Sequence, residues 1–281
     1  MFSTSNALYT LLDTVYPNKN HNITLHKISG LDIPFSTSWK TIGINVSGGA
    51  DSSCLAMLLG KIITENNYDC KIHFITFTRC WNTRPWQGPI AVNVYNKLKE
   101  MYPGLIVERH INYIPPELEW GNTNGPILNG RSGDQIEGSS FNSYIAYTQN
   151  LDAVFNATSK NPGANGFDNR LLKRDKDAED GKLEDVVFLR AGTYFCHPFR
   201  FVKKDWIVAQ FFIHNSEDLY NTTRSCEGDI NDGNAKPILP NGLDDYKPGM
   251  FIPLCGSCFW CLERSWAESV LQDTIKQLSH D

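Results

Sequence analysis

The chain predicts an α/β fold: a doubly wound, mainly parallel sheet with helices on both faces and a small cysteine-rich lobe at its C-terminal end. Three observations lead there. β-branched runs alternate with amphipathic runs along residues 41–111, the pattern of strands joined by right-handed helical crossovers. A glycine turn, Ser47-Gly48-Gly49, stands where the first of these strands meets its helix, the place where such sheets bind ligands. Cys255, Cys258 and Cys261 follow one another at C-x-x-C spacing, which suits a metal.

Composition supports a folded chain. The 281 residues fit one large domain, or one domain and a small lobe. Hydrophobic residues at 41% and charged residues at 20% exclude a disordered or fibrous protein. No apolar run reaches the ~18 residues that span a bilayer. The first ten residues hold no basic side chain and no secretory stretch, so no export signal is read and a cytoplasmic location is expected. Twenty-six basic against 31 acidic residues give a net charge of −5, which argues against bulk nucleic-acid binding and leaves room for a local basic groove.

Residues 6–16 read as a short helix, with Leu8, Leu11, Leu12 and Val15 on one side, and residues 22–28 as a strand. Residues 1–40 therefore form an N-terminal extension to the main fold. The β-branched run 41–46 is the first strand of the main sheet, and it breaks at the glycines. Asp51 and Ser52 open the next helix, whose apolar face is Leu55, Leu58, Leu59 and Ile62. A strand at 71–78, a helix at 89–101 and a strand at 105–111 follow. Residues 112–137, rich in Gly, Pro and Asn, read as a long loop. A helix at 140–150 and a short strand at 153–157 come next. Residues 159–185 are polar and highly charged, the character of a flap. A helix at 203–214 closes a nucleotide-binding domain of residues 41–215. Residues 216–281 form the metal lobe, with a loop at 227–247 and a last helix at 262–278.

The sharpest local signal is Ser47-Gly48-Gly49-Ala50-Asp51-Ser52-Ser53. Glycines let a backbone approach a ligand closely. A helix start aims N–H groups and partial positive charge at the same point. Ser47, Ser52 and Ser53 add hydroxyls, so the turn suits phosphate or pyrophosphate. Asp51 is anionic and is better matched to a metal ion or to orienting the loop. The sequence is neither G-x-x-x-x-G-K-[ST] nor G-x-G-x-x-G, so neither of those phosphate loops applies.

Four thiolates satisfy a closed tetrahedral zinc site, and Cys226, Cys255, Cys258 and Cys261 supply four. An iron–sulfur cluster is the rival, because closely spaced thiolates suit it too.

The turn resembles the S-G-G-x-D-S signature of the PP-loop ATP pyrophosphatases, which cleave ATP between the α- and β-phosphates. Turn and cysteines together resemble the 7-cyano-7-deazaguanine synthases of the queuosine pathway, a PP-loop family with a four-cysteine zinc site. The similarity runs discontinuously over residues 42–268. Gly130-Arg131 is similar to that family's Gly-Arg-Asn segment, and Gly166-Phe167-Asp168-Asn169-Arg170 to its Tyr-Pro-Asp-Cys-Arg segment. His197-Pro198 and Lys204-Asp205-Trp206-Ile207-Val208 are similar to its Thr-Pro…Lys-x-x-Ile-Val, and Ser225-Cys226 and Cys255…Arg264 to its zinc segment.

The resemblance implies ATP, Mg²⁺ and Zn²⁺ as cofactors. It implies nucleotide binding by Ser47, Gly48, Gly49, Asp51, Ser52 and Ser53, and substrate binding by Asp168 and Arg170. Asp51, Arg131 and Lys204 become the candidate catalytic residues, the two basic ones as charge clamps. The implied reaction activates the carboxylate of 7-carboxy-7-deazaguanine as an adenylate. Ammonia then displaces AMP, and a second activation gives the nitrile. The differences from the family cluster in the acceptor half: Ser132 replaces its Asn, Asn156 stands at its glycine-rich strand end, and the Cys226–Cys255 spacing is wide. They motivate a second reading, in which the activated 7-deazaguanine passes to an amine of a protein or other macromolecule, as in an anti-phage defence relative. A third reading is a nucleotide-binding subunit without turnover. A homodimer is expected only as the commonest assembly.

Other residues read blandly. Cys54 sits among leucines as core. Adjacent residues of a strand point apart, so Cys196 and His197 make a poor nucleophile and base. Cys80 and the loop tryptophans Trp81, Trp86 and Trp120 fall near the strand ends and are candidate ligand contacts.

Overall fold

The computed structural model describes residues 22–79, 87–114, 127–128, 131–160, 186–226, 254, 256 and 258–278. The expected helix at 6–16, the loop at 227–247, Cys80, Trp81, Trp86 and Trp120 lie outside them, as do residues 161–185 of the charged segment.

Six strands form the main sheet: β3 (Thr41–Asn45), β4 (Lys71–Arg79), β5 (Ile106–Ile114), β8 (Ala153–Phe155), β9 (Val187–Arg190) and β10 (Thr193–Cys196). Their spatial order is β5-β4-β3-β8-β10-β9. All neighbours are parallel except β10 with β9, which pair antiparallel as a hairpin at one edge. The chain leaves β3 toward β4 and β5, then returns to place β8 on the other side of β3. The direction of winding therefore reverses between β3 and β8, and the crevice at their carboxyl ends is the expected ligand position. The doubly wound α/β expectation holds.

Alternation sorts the side chains of the central strands onto two faces. Ile42, Ile44, Ile72 and Phe74 join the larger core, packed beneath α1 (Ala50–Glu65) and α2 (Gln87–Met101). Ile75 and Val154 join the smaller core, with Ile145 and Ala146 of α3 (Gly133–Thr148). Helix α1 is apolar nearly all round, with 12 of its 16 residues buried, as befits a helix wedged between sheet and other helices. Two of these are α4 (Lys204–Ile213) and the short α5 (Glu217–Thr222). The last helix, α6 (Phe259–Leu278), packs on α4 and buries Ala267 in the larger core.

Several elements depart from the sequence reading. A hairpin of β1 (Thr24–Ile28) and β2 (Leu31–Phe35) turns through Ser29 and Gly30, both at positive φ, the backbone that a two-residue hairpin needs. Its Ile33 and Phe35, with Trp39, are fully buried in the larger core. Helix α3 begins at Gly133, inside the segment expected to be loop. Glycine- and asparagine-rich composition reads as loop locally, but docking decides: Gly138 faces the Phe77 ring, 3.6 Å from where a Cβ would stand. Strand β8 stops at Phe155 rather than 157. Asn156 ends it by accepting the Thr158 N–H on its own Oδ1 at 2.9 Å, a turn that competes with the sheet ladder. A small hairpin, β6 (Ile127–Leu128) with β7 (Arg131–Ser132), lies within the expected loop.

Candidate functional site

The glycine turn lies at the reversal of winding. Strand β3 extends past Asn45 through Val46, whose N–H donates to the Ile75 carbonyl at 2.8 Å. The backbone then leaves the sheet at Ser47. Gly48 has φ of +80°, which disfavours any L side chain. A Cβ there would stand 2.8 Å from the Ala91 nitrogen and from Ile90 Cγ2 at the start of α2, so only glycine fits.

The turn's N–H groups are held by hydroxyls. Ser47 N–H donates to Ser52 Oγ at 3.2 Å, Gly49 N–H to Ser47 Oγ at 3.3 Å and Ala50 N–H to Ser225 Oγ at 3.3 Å. These exceed the usual N–H···O separation of about 2.9–3.0 Å and are weak bonds that a stronger acceptor can replace. The hydroxyls of Ser52 and Ser53 donate to the Gly49 carbonyl at 3.2 and 2.8 Å, which braces the first turn of α1. Gly49 begins that helix without a side-chain cap, so partial positive charge faces the crevice.

A charged cluster sits beside the turn. Lys204, the first residue of α4, is 2% exposed, and its ammonium donates to Asp51 Oδ1. The same ammonium lies 3.5 Å from Glu263 Oε2 of α6, a carboxylate only 1% exposed. Asp51 Oδ2 accepts the Ser159 hydroxyl at 3.2 Å, so the segment after β8 reaches across the crevice. Asp51 and Lys204 are thus brought together. Glu263 is the member that sequence reasoning missed. Its only signal was an acidic residue on a helix two places beyond a metal-spaced cysteine.

More polar atoms are buried nearby. Asn45 Oδ1, at the end of β3, and Thr78 Oγ1, near the end of β4, have no hydrogen-bond partner among the described residues. Buried polar atoms normally find partners, and both stand on the ligand side of the sheet.

The cysteine cluster is linked to the turn through one strap, residues 223–226. Arg224 N–H donates to the Gly48 carbonyl at 2.8 Å, Ser225 holds Ala50, and Cys226 follows at once. Arg264 of α6 clamps the strap, donating to the Thr223 carbonyl at 3.0 Å and stacking over the Tyr220 ring at 3.9 Å. The sulfurs of Cys226, Cys258 and Cys261 lie within 4.8 Å of one another, and Cys258 and Cys226 are 3.9 Å apart. Thiolates bound about 2.3 Å from one tetrahedral ion sit about 3.8 Å from each other, so the three residues fit a single ion. The Cys261 thiol is pushed up by its neighbours Cys226 and Cys258.

Cys255, the fourth expected ligand, lies outside the described residues, as do Asp168 and Arg170. Arg131 is in β7, and its backbone alone is described. Cys54 and Cys196 are fully buried, and burial pushes both thiols up, the inert state of a packed cysteine. His197 lies parallel to the Phe188 ring.

No family model and no curated protein matches the chain. Among solved structures, it is similar to the U34-tRNA thiolase NcsA from Methanococcus maripaludis, determined with its 4Fe-4S cluster. That match has 14% identity and a TM-score of 0.41, over 83% of this chain and 72% of that one. It is also similar to Candida glabrata FMN adenylyltransferase in complex with FMN and the ATP analogue AMPCPP. There the identity is 13% and the TM-score 0.38, over 78% of this chain and 71% of that one. These are distant likenesses, and the reading of the site rests on its own geometry. No helix among the described residues is long and apolar enough to cross a membrane.

Proposed function

We propose that this chain is an ATP-dependent, adenylate-forming enzyme of PP-loop type, which activates the carboxylate of 7-carboxy-7-deazaguanine and forms the nitrile with ammonia. The observation that carries the ATP half is the placement of Ser47–Ser53. The turn stands at the winding reversal, opens an uncapped helix, and holds its N–H groups on long bonds to hydroxyls. Phosphate oxygens are stronger acceptors and can take over those N–H groups. The substrate half rests on the resemblance of the segments around Arg131, Asp168, Arg170 and Lys204 to the 7-cyano-7-deazaguanine synthases.

In the first step a carboxylate oxygen attacks the α-phosphorus. The α–β phosphoanhydride bond breaks, and pyrophosphate leaves with that bond's electron pair. The turn's N–H groups and the α1 dipole face the charge that develops there. Ammonia attacks the acyl carbon and expels AMP, giving the amide. Activation of the amide oxygen by a second ATP lets it leave as AMP, and loss of protons from nitrogen gives the nitrile.

Lys204 serves both the ligand and the fold. Polyphosphate beside the Asp51 carboxylate calls for a divalent cation between them. Mg²⁺ neutralises phosphate charge when bound. Asp51 is the residue to hold it, because its oxygens retain lone pairs beyond those used by Lys204 and Ser159. The cysteines would hold zinc as a closed structural site, which offers no position for chemistry and keeps the strap 223–226 against the turn.

The test is incubation with ATP, Mg²⁺, ammonium and 7-carboxy-7-deazaguanine, following AMP and product mass. AMP with the nitrile supports the proposal. AMP without nitrile, together with a mass shift on an added or co-purified protein, moves the acceptor to a macromolecular amine. Nucleotide binding with no AMP released defeats the enzymatic reading. Elemental analysis that finds iron in place of zinc defeats the zinc reading.

A further inference from the structure

Three metal-type donors converge on β4 and β5, outside the glycine turn. His73 is the third residue of β4, six positions before the strand's end at Arg79. His73 stands level with Gly43 of β3, four residues before the turn begins at Ser47, which is roughly 13 Å along the sheet at about 3.3 Å per residue. His73 pairs across the ladder with Glu108, and Ile75 with His110. Glu108 and His110 are two apart on β5, so alternation sends both to the face that carries His73.

The side chains meet there. His73 Nδ1 is 3.0 Å from His110 Nε2, and His110 Nε2 is 3.8 Å from Glu108 Oε2. All three donor atoms lie within 4.8 Å of one another. The two imidazole planes differ by 9° with centroids 5.3 Å apart. A centroid separation that long, with the nitrogens at 3.0 Å, means that the rings meet edge to edge with nitrogen facing nitrogen.

At 3.0 Å the facing nitrogens are at hydrogen-bond distance, one donating and the other accepting; a rotation of each ring turns both lone pairs onto one cation instead. A shared proton uses one nitrogen as donor and the other as acceptor, and it does not call for Glu108. The carboxylate at the same point favours a cation. From these contacts we infer that His73, His110 and Glu108 form a second metal site, which takes a divalent first-row transition ion of the zinc class. Nitrogen and oxygen ligands about 2.0–2.2 Å from a tetrahedral ion stand about 3.3–3.6 Å apart. The observed 3.0 and 3.8 Å separations bracket that spacing, so small side-chain rotations suffice. Two imidazoles and one carboxylate suit Zn²⁺, Ni²⁺ or Co²⁺ rather than Mg²⁺ or Ca²⁺.

The test uses the full chain, stripped with chelator, reloaded with Zn²⁺ or with Co²⁺, and counted by elemental analysis. The His110→Ala protein should hold one ion per chain fewer than the unsubstituted protein. The absorption lost with Co²⁺ should be the weak band of nitrogen and oxygen ligands, with any thiolate-to-cobalt charge transfer unchanged. That readout separates this site from the cysteines, whatever the cysteines hold. Glu108 has a side chain 56% exposed, so Glu108→Gln should fold normally and weaken Zn²⁺ binding at this site by about tenfold or more. Equal metal counts in the unsubstituted and His110→Ala proteins overturn the inference and leave a plain hydrogen bond between two histidines. So does Glu108→Gln protein that binds Zn²⁺ as tightly as before, which covers the case in which His110→Ala fails to fold.

Discussion

The glycine turn and the charged cluster beside it share Asp51, yet they are built in opposite ways. The turn's backbone is held mostly locally: its serine hydroxyls bond backbone groups two to five positions away, and among the described residues Ser225 and Arg224 hold it from elsewhere in the chain. The cluster is wholly long-range. Asp51 and Lys204 are 153 positions apart in sequence, and Glu263 reaches Lys204 from the far end of the chain. The turn's bonds are weak and replaceable, as suits a surface that exchanges partners for a ligand. The cluster's charges are buried and interdependent, as suits a fixed floor.

The largest effect should follow from breaking the cluster at its centre. Lys204→Met leaves Asp51 and Glu263 close together without their cation. Removing one partner of a buried ion pair costs about 3–5 kcal/mol, to be read as a lower urea midpoint, and AMP release should vanish with it. Glu263→Gln in the same background should recover part of the stability, because it removes one uncompensated charge. No recovery would mean that Glu263 and Lys204 are not energetically coupled.

Asp51→Asn should abolish AMP release and leave the melting temperature close to that of the unsubstituted protein. Asp51 is the more exposed partner of its pair, at 21%, and Lys204 keeps Glu263. Full activity in this variant would remove Asp51 from the chemistry.

Chelation of the cysteine-bound ion should act on both regions at once, because the strap carries Cys226, Ser225 and Arg224 in sequence. The melting temperature should fall by several degrees, and ATP binding, followed by calorimetry, should weaken in parallel. Weakened stability with unchanged ATP affinity would show that the strap does not support the turn.

The smallest effect should come from loosening the strap's hold on the turn. Ser225→Ala removes the bond to Ala50 N–H and should cost about 0.5–1.5 kcal/mol, with only a modest loss of ATP affinity. A loss as large as that of Lys204→Met would mean that the turn is not the locally held element described above.

Much of this was legible in the chain itself. The alternation of apolar runs placed β3, α1, β4, α2 and β5 in order, because periodicity reports which face of an element is buried. Ser47–Ser53 was legible because its bonds are short-range. What composition misread was context-dependent. The start of helix α3, from Gly133 to Glu137, looked like loop until Phe77 supplied the surface on which it folds. The burial of Trp39 depends on Phe155 and Tyr194, more than a hundred residues away, and the β9–β10 hairpin on a turn too short to stand out.

By itself the sequence determined the parallel α/β sheet, the glycine turn after its first strand and the cysteine spacing, since each is written in neighbouring residues. Only the tertiary structure decided that Glu263 joins Asp51 and Lys204, that the cysteine strap backs the turn, and that His73, His110 and Glu108 share one face. Those arrangements follow from strand order and helix packing, which bring together residues whose separation along the chain carries no signal.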